Sequence, residues 1–298
     1  MRRQFTVCVP FLAALLAITL GHPASSDEDS GDVAQVRRWH TFYRERAAEF
    51  SVAEHHNDTV PLTLVPTPLQ TWTNPIRGDT QHGTIHLWTN AGRPSVIGSV
   101  WSALDPKDRS QRALCYEFHS LTQVPVSATL GDKPWWSPRE AGVEWLPLAD
   151  TPKPGPSRTA RLRNMRDLAA ELQASIIGDD PQPDTDLRLL SQPLYRYPEN
   201  TPGAVDGAIF AFVMATDPEL FVLIELRRNE STGEASWTLA PARLTGSALR
   251  LRRGERTVWE SPTWEYQRDR PYDFLYGVEK QPAVLTDESG SFPSGGPK

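Results

Sequence analysis

Two hydrophobic periods alternate along this chain. Val33, Val36, Phe42, Tyr43, Ala47 and Phe50 recur three to four apart among Arg37, Arg38, Arg44 and Glu45. That spacing predicts a helix with one apolar stripe and Asp32 as its N-cap. A second helix is predicted from about 158 to 177, with Leu162, Met165, Leu168, Ala169, Leu172 and Ile176 on its stripe and Gly178 as its stop. After each helix the period falls to two. Strands are predicted at 84–89, 95–101 and 114–121, then at 208–215, 220–227, 236–244 and 248–259. Asn90-Ala91-Gly92-Arg93 and Thr216-Asp217-Pro218-Glu219 supply turn chemistry, so the leading pair of each set reads as a hairpin. In the second hairpin Phe210, Phe212 and Met214 alternate with Ile209, Ala211 and Val213, so both faces require cover.

The order of elements repeats. Leu62-Thr63-Leu64, Pro68-Leu69 and Trp72 return as Leu187-Arg188-Leu189, Pro193-Leu194 and Tyr197 at a shift of 125. Gly83, Ile85, Trp88 and Pro94 return as Gly207, Ile209, Phe212 and Pro218 at 124, and flanking blocks keep the order at shifts between 122 and 125. Ordered matches at so constant a shift predict an internal duplication. The expected fold class is α+β: two tandem related units, each one helix packed on a mostly antiparallel β-meander, forming a pseudo-twofold pair. The units span 27–138 and 156–262, joined by a Pro-rich linker at 139–155. An aromatic C-terminal extension covers 263–286, and 287–298 is read as a disordered tail because Gly, Ser and Pro there bury too little to offset chain entropy.

Composition adds an address. Arg2 and Arg3 precede an apolar run from Phe11 to Ile18 and small residues at Ala24, Ser25 and Ser26, the order of a signal peptide over 1–26. The chain is therefore expected to be exported, to a periplasm or the extracellular space, with no membrane span in the mature chain. Of two cysteines, Cys8 lies in that segment and Cys115 is left without an internal partner. A net charge of -6 argues against nucleic acid as a partner. The ten Trp make the chain tryptophan-rich, and their flat faces serve packing or the stacking of a ligand.

Phosphate loops, dinucleotide glycine fingerprints, HExxH and the GxSxG elbow are all absent from the sequence. One polar constellation stands out. On an extended strand Glu117 and His119 share a face while Tyr116 and Phe118 take the other, and His86 lies across its hairpin from Gly98, which leaves room beside an imidazole. His86, Glu117 and His119 are thus candidate ligands for a divalent metal, or an acid/base pair; the bland alternative is a hydrogen-bonded pair on an exposed strand face. Other polar clusters read as solvated: His55-His56-Asn57-Asp58 at the end of the first helix, the acidic loop with Asp184 and Asp186, and the arginines Arg243, Arg250 and Arg252. The sequence names no cofactor, ligand or protein partner. The function expected is that of an exported, noncatalytic binding or structural protein, with a metal-dependent hydrolase using the first-unit site as the alternative.

Overall fold

The computed structural model describes residues 27–77, 81–179, 181–229, 231–265 and 270–286, the side chains of 27–32 excepted. The expected signal peptide and C-terminal tail lie outside these residues. The first half opens with α1 (Asp27–Ala48), β1 (Phe50–His55), β2 (Thr59–Pro61), β3 (Thr63–Leu64) and β4 (Gln70–Asn74). A single 3-10 turn at Pro75–Arg77 leads into the meander β5 (Gln81–Asn90), β6 (Arg93–Leu104) and β7 (Gln111–Ser120). Next come β8 (Val126–Leu130), β9 (Lys133–Trp136) and the short β10 (Leu146–Pro147). The second half runs α2 (Arg158–Ala170), β11 (Leu172–Ile176), β12 (Thr185–Leu189) and β13 (Tyr195–Arg196). Its meander is β14 (Asp206–Met214), β15 (Asp217–Arg228) and β16 (Ala235–Arg243), followed by β17 (Leu249–Arg253), β18 (Arg256–Ser261) and β19 (Tyr272–Pro282).

The expected α+β class is corrected by this count. Among the described residues strands make up 50% and helices 13%, so the fold is mostly β, built of curled, half-barrel sheets rather than of a helix laid on a meander twice over. The connectors make the difference, because β2, β3, β4, β10, β12 and β13 all pair with longer strands where the sequence offered only proline-rich loops. Both helices are shorter at their C-terminal ends than their stripes predict. Leu172 and Ile176, four apart, satisfy a period of two as well as of 3.6, and the chain resolves that ambiguity by ending α2 and pairing β11 with β12 and β17. Phe50 likewise belongs to β1, which places His55 in the β1–β2 hairpin rather than at a helix end. Asp32 lies inside α1, whose buried side chains are Trp39, Phe42, Tyr43 and Ala47. Ser157 caps α2, its hydroxyl accepting from the amide of Ala160 at 3.1 Å.

Three sheets result. Strands β2-β1-β8-β9 form the first, and β19-β7-β6-β5-β3, with β4 also on β5, the second. The third runs β10-β16-β15-β14-β12-β11-β17-β18, with β13 on β14. Strand β12 pairs with both β11 and β14 and so keeps the third sheet continuous, whereas β2 and β3 are separate strands and leave the first half divided into two sheets. The residues between and after the expected units are structural: Leu146 and Pro147 add a strand beside β16, and β19 returns from the C-terminal side to pair along the whole of β7.

The two meanders face each other. Ile85, Leu87, Ile97 and Trp101 pack with Ile209, Ala211, Phe221 and Leu223 in one shared cluster. The opposite face of β14 and β15, with Phe210, Phe212 and Val222, packs beneath α2, which supplies the double cover that an all-apolar hairpin requires. Trp88, Val100, Tyr116 and Phe118 lie beneath α1. No helix among the described residues is long and apolar enough to cross a membrane.

Candidate functional site

Register decides the fate of the proposed metal triad. His86 pairs with Gly98, as the hairpin turn predicts, but Gly98 pairs in turn with Phe118, so His86 shares the α1-facing side of the sheet with that aromatic ring. Glu117 pairs with Ser99 and His119 with Ile97, and both point to the other face. The structure therefore brings together Glu117 and His119 but not His86, so the three expected metal ligands do not share a face. The room expected at Gly98 is taken: a Cβ there would meet Phe118 Cδ1 at 3.0 Å and the Glu117 carbonyl oxygen at 2.8 Å. His86 is buried against Trp88, its Nε2 bonded to the Thr84 hydroxyl at 2.7 Å, and burial pulls its pKa down to about 3. Among the described residues no group of three or more His, Cys, Asp or Glu side chains is placed to hold a metal ion.

The face that carries Glu117 and His119 is interior, not exposed. His119 bridges two carbonyls, Nδ1 to Arg243 at 2.8 Å and Nε2 to Gly142 at 3.0 Å. Burial pulls its pKa down to about 4, although both carbonyls favour the charged form. Glu117 accepts from the Tyr272 hydroxyl at 3.1 Å. It belongs to a cluster that forms only when the meanders meet. Asp217 and Glu219, at the start of β15, face it, and Asn74 and Arg77 enter from β4 and its 3-10 turn. The Asn74 side-chain amide donates to Asp217 at 3.0 Å, and Arg77 donates to Glu219 at 2.6 Å. Burial raises the pKa of Glu117, Asp217 and Glu219 alike. Repulsion from the neighbouring carboxylates adds to it at Glu117 and Asp217, and Arg77 only partly offsets these effects. These residues are 9%, 6% and 1% exposed respectively, so the cluster is enclosed by the protein.

Sequence reasoning missed Asp217 and Glu219 because a Thr-Asp-Pro-Glu run reads as a turn. The turn is in fact Ala215-Thr216, with Ala215 at φ 53°, and Asp217 already pairs with Met214. Period two was the available signal: Glu219, Phe221, Leu223 and Glu225 alternate along β15, and carboxylates in an apolar strand mark a polar interior.

Outward from Glu117 lies a cleft of about 570 Å³. Its floor is His119, Tyr272 and Arg243; one wall is the 140–144 segment, and the other carries Trp259, Thr263 and Trp264. Arg243 is a buried clamp rather than part of a solvated sheet face. Its guanidinium donates to the carbonyls of Thr245, Ser247 and Pro262 and to the Ser261 hydroxyl, all within 2.9 Å, and lies over the Tyr272 ring. The Trp264 indole N–H donates to the Tyr272 carbonyl at 3.2 Å, and its ring meets Tyr272 edge-on at 5.6 Å. Tyr272 thus joins the cleft to the buried cluster. Of the remaining clusters, Arg250 pairs with Asp184 and Glu260, and Arg252 with Glu255. His82 bonds to the Tyr43 hydroxyl at 2.9 Å. No protein-family model matches the chain, and no curated protein or solved structure matches it either.

Proposed function

We propose that this is an exported, noncatalytic binding protein whose ligand occupies the cleft between the 140–144 segment and the Trp259–Trp264 wall. The cleft itself carries this reading. Its volume of about 570 Å³ falls within the ~300–1,000 Å³ that small-ligand sites span, and two half-buried tryptophans line it, Trp259 on the edge strand β18 and Trp264 in the segment that follows it. The acid/base groups nearest to it are poorly suited to chemistry. His119 has both nitrogens engaged, and Glu117 lies behind the Tyr272 hydroxyl. Export is supported by the charged, apolar and small-residue order of 1–26.

The test is a tryptophan-fluorescence titration of the full mature chain with glucose, 1,4-diaminobutane, succinate and adenosine monophosphate. At least one probe should give a saturable change that falls tenfold or more in Trp264→Ala and in Thr263→Tyr, the second of which fills the cleft without removing packing. A saturable signal indifferent to both variants, no signal with any probe, or conversion of the bound probe by mass spectrometry would each overturn the reading.

A further inference from the structure

We infer that the cleft selects an organic cation, a small molecule that presents ammonium or guanidinium groups; this rests on the binding reading above. The inference follows from which polar atoms of the lining are already committed. Arg243 spends its donors on three carbonyls and a hydroxyl. His119 meets a carbonyl at each nitrogen, the Tyr272 hydroxyl donates to Glu117, and the Trp264 N–H donates to the Tyr272 carbonyl. Arg270 donates to Glu140 at 3.0 Å. The charged donors of the cleft floor therefore point into the protein, and the neutral Trp259 indole N–H and Thr263 hydroxyl stand outside that set.

The charged acceptors differ. Glu144 and Glu265 are exposed residues of the lining, which also includes the half-buried Trp259 and Trp264, so they bring two negative charges to the same cleft as two indoles. An indole face attracts a cation through its quadrupole, and a carboxylate attracts it by charge and accepts its N–H bonds. The two features select the same chemistry. A neutral polyol lacks the charge that two carboxylates attract, and an anion would meet those carboxylates while Arg243 is bonded to carbonyls and Arg270 to Glu140. The chain's net charge of -6 draws a cation in the same direction.

The experiment compares 1,4-diaminobutane with its neutral analogue 1,4-butanediol, with succinate and with glucose, by calorimetry on the full mature chain at low ionic strength. The diamine should bind at least tenfold more tightly than any of the others, and its affinity should fall as salt is raised. In the double variant Glu144→Gln, Glu265→Gln, which changes two exposed residues and leaves the core untouched, the diamine should weaken tenfold or more. Saturable binding of glucose or succinate without the diamine would overturn the cation assignment and leave the binding reading standing. Diamine affinity unchanged in the double variant would also overturn the assignment. Failure of every probe to bind would overturn both.

Discussion

At Glu225 a carboxylate with no exposed surface is met by Arg93 at 2.7 and 2.8 Å, by Arg227 at 3.0 Å and by the Tyr197 hydroxyl at 2.8 Å. Arg93 sits at the β5–β6 turn and Glu225 on β15, so this ion pair ties one meander to the other. Removing one partner of a buried pair typically costs about 3–5 kcal/mol. Arg227 remains in Arg93→Ala, so a loss of roughly 2–3 kcal/mol is expected from urea denaturation, partly recovered on adding Glu225→Gln. An unchanged midpoint would show that the pair contributes nothing. His119 makes a second residue-scale case. His119→Ala removes the one N–H that the neutral imidazole donates to the Arg243 or the Gly142 carbonyl and opens a cavity, so a destabilisation of about 2–4 kcal/mol is expected by the same measurement. A variant as stable as the parent would return His119 to the surface role that the sequence suggested.

At the scale of elements, alternation was legible and termination was not. The meander strands fall where period two puts them, and Asn90 pairs with Arg93 across Ala91 and Gly92, both at positive φ, as the turn residues require. The ends of the helices escaped because a spacing of four serves a strand and a helix equally. The predicted strand at 248–259 conceals a hairpin, β17 to β18, that turns at Gly254 with φ 58°. The 140–144 wall was invisible for a different reason: its position depends on contacts rather than on its own pattern. A Cβ on Gly142 would lie 1.9 Å from the Ser120 carbonyl oxygen, so only glycine lets this segment approach β7. Gly142→Ala should push the wall outward, break the bond from His119 to its carbonyl and weaken probe binding in the cleft at least tenfold. Fluorescence titration checks this, and wild-type affinity in that variant would mean that the wall is not part of the site.

For the whole molecule, the apolar centre between the meanders is closed at one end by Glu225 with two arginines, and at the other by Glu117, Asp217 and Glu219 with Arg77. The second end is rich in acid, and its folded-state pKa values are raised. A raised carboxyl pKa contributes stability that is fully present below the unfolded value of roughly 4 and is lost as pH rises through the folded value. Glu54 and Asp206, whose pKa values are lowered, act in the opposite sense, so the prediction concerns a difference between proteins. Between pH 5 and pH 8 the parent should lose more stability than Asp217→Asn, Glu219→Gln, as measured by denaturation midpoints; parallel profiles would refute the assignment. Cys115, fully buried on β7 beside β19 with its thiol pushed up to about 12 by burial, should react with a thiol reagent only as fast as the chain opens. Rapid labelling of the folded chain would contradict this. The sequence by itself determined the strands of both meanders, the need to cover β14 and β15 on both sides, and the pairing of His86 with Gly98, because each rests on local period or turn chemistry. Only the tertiary structure decided that the class is mostly β, that β19 returns to β7, that His86 and Glu117 lie on opposite faces, and that Glu117, Asp217 and Glu219 converge. Strand partners far apart in sequence are chosen by packing between sheets, and a one-residue step in register moves a side chain to the other side of the protein.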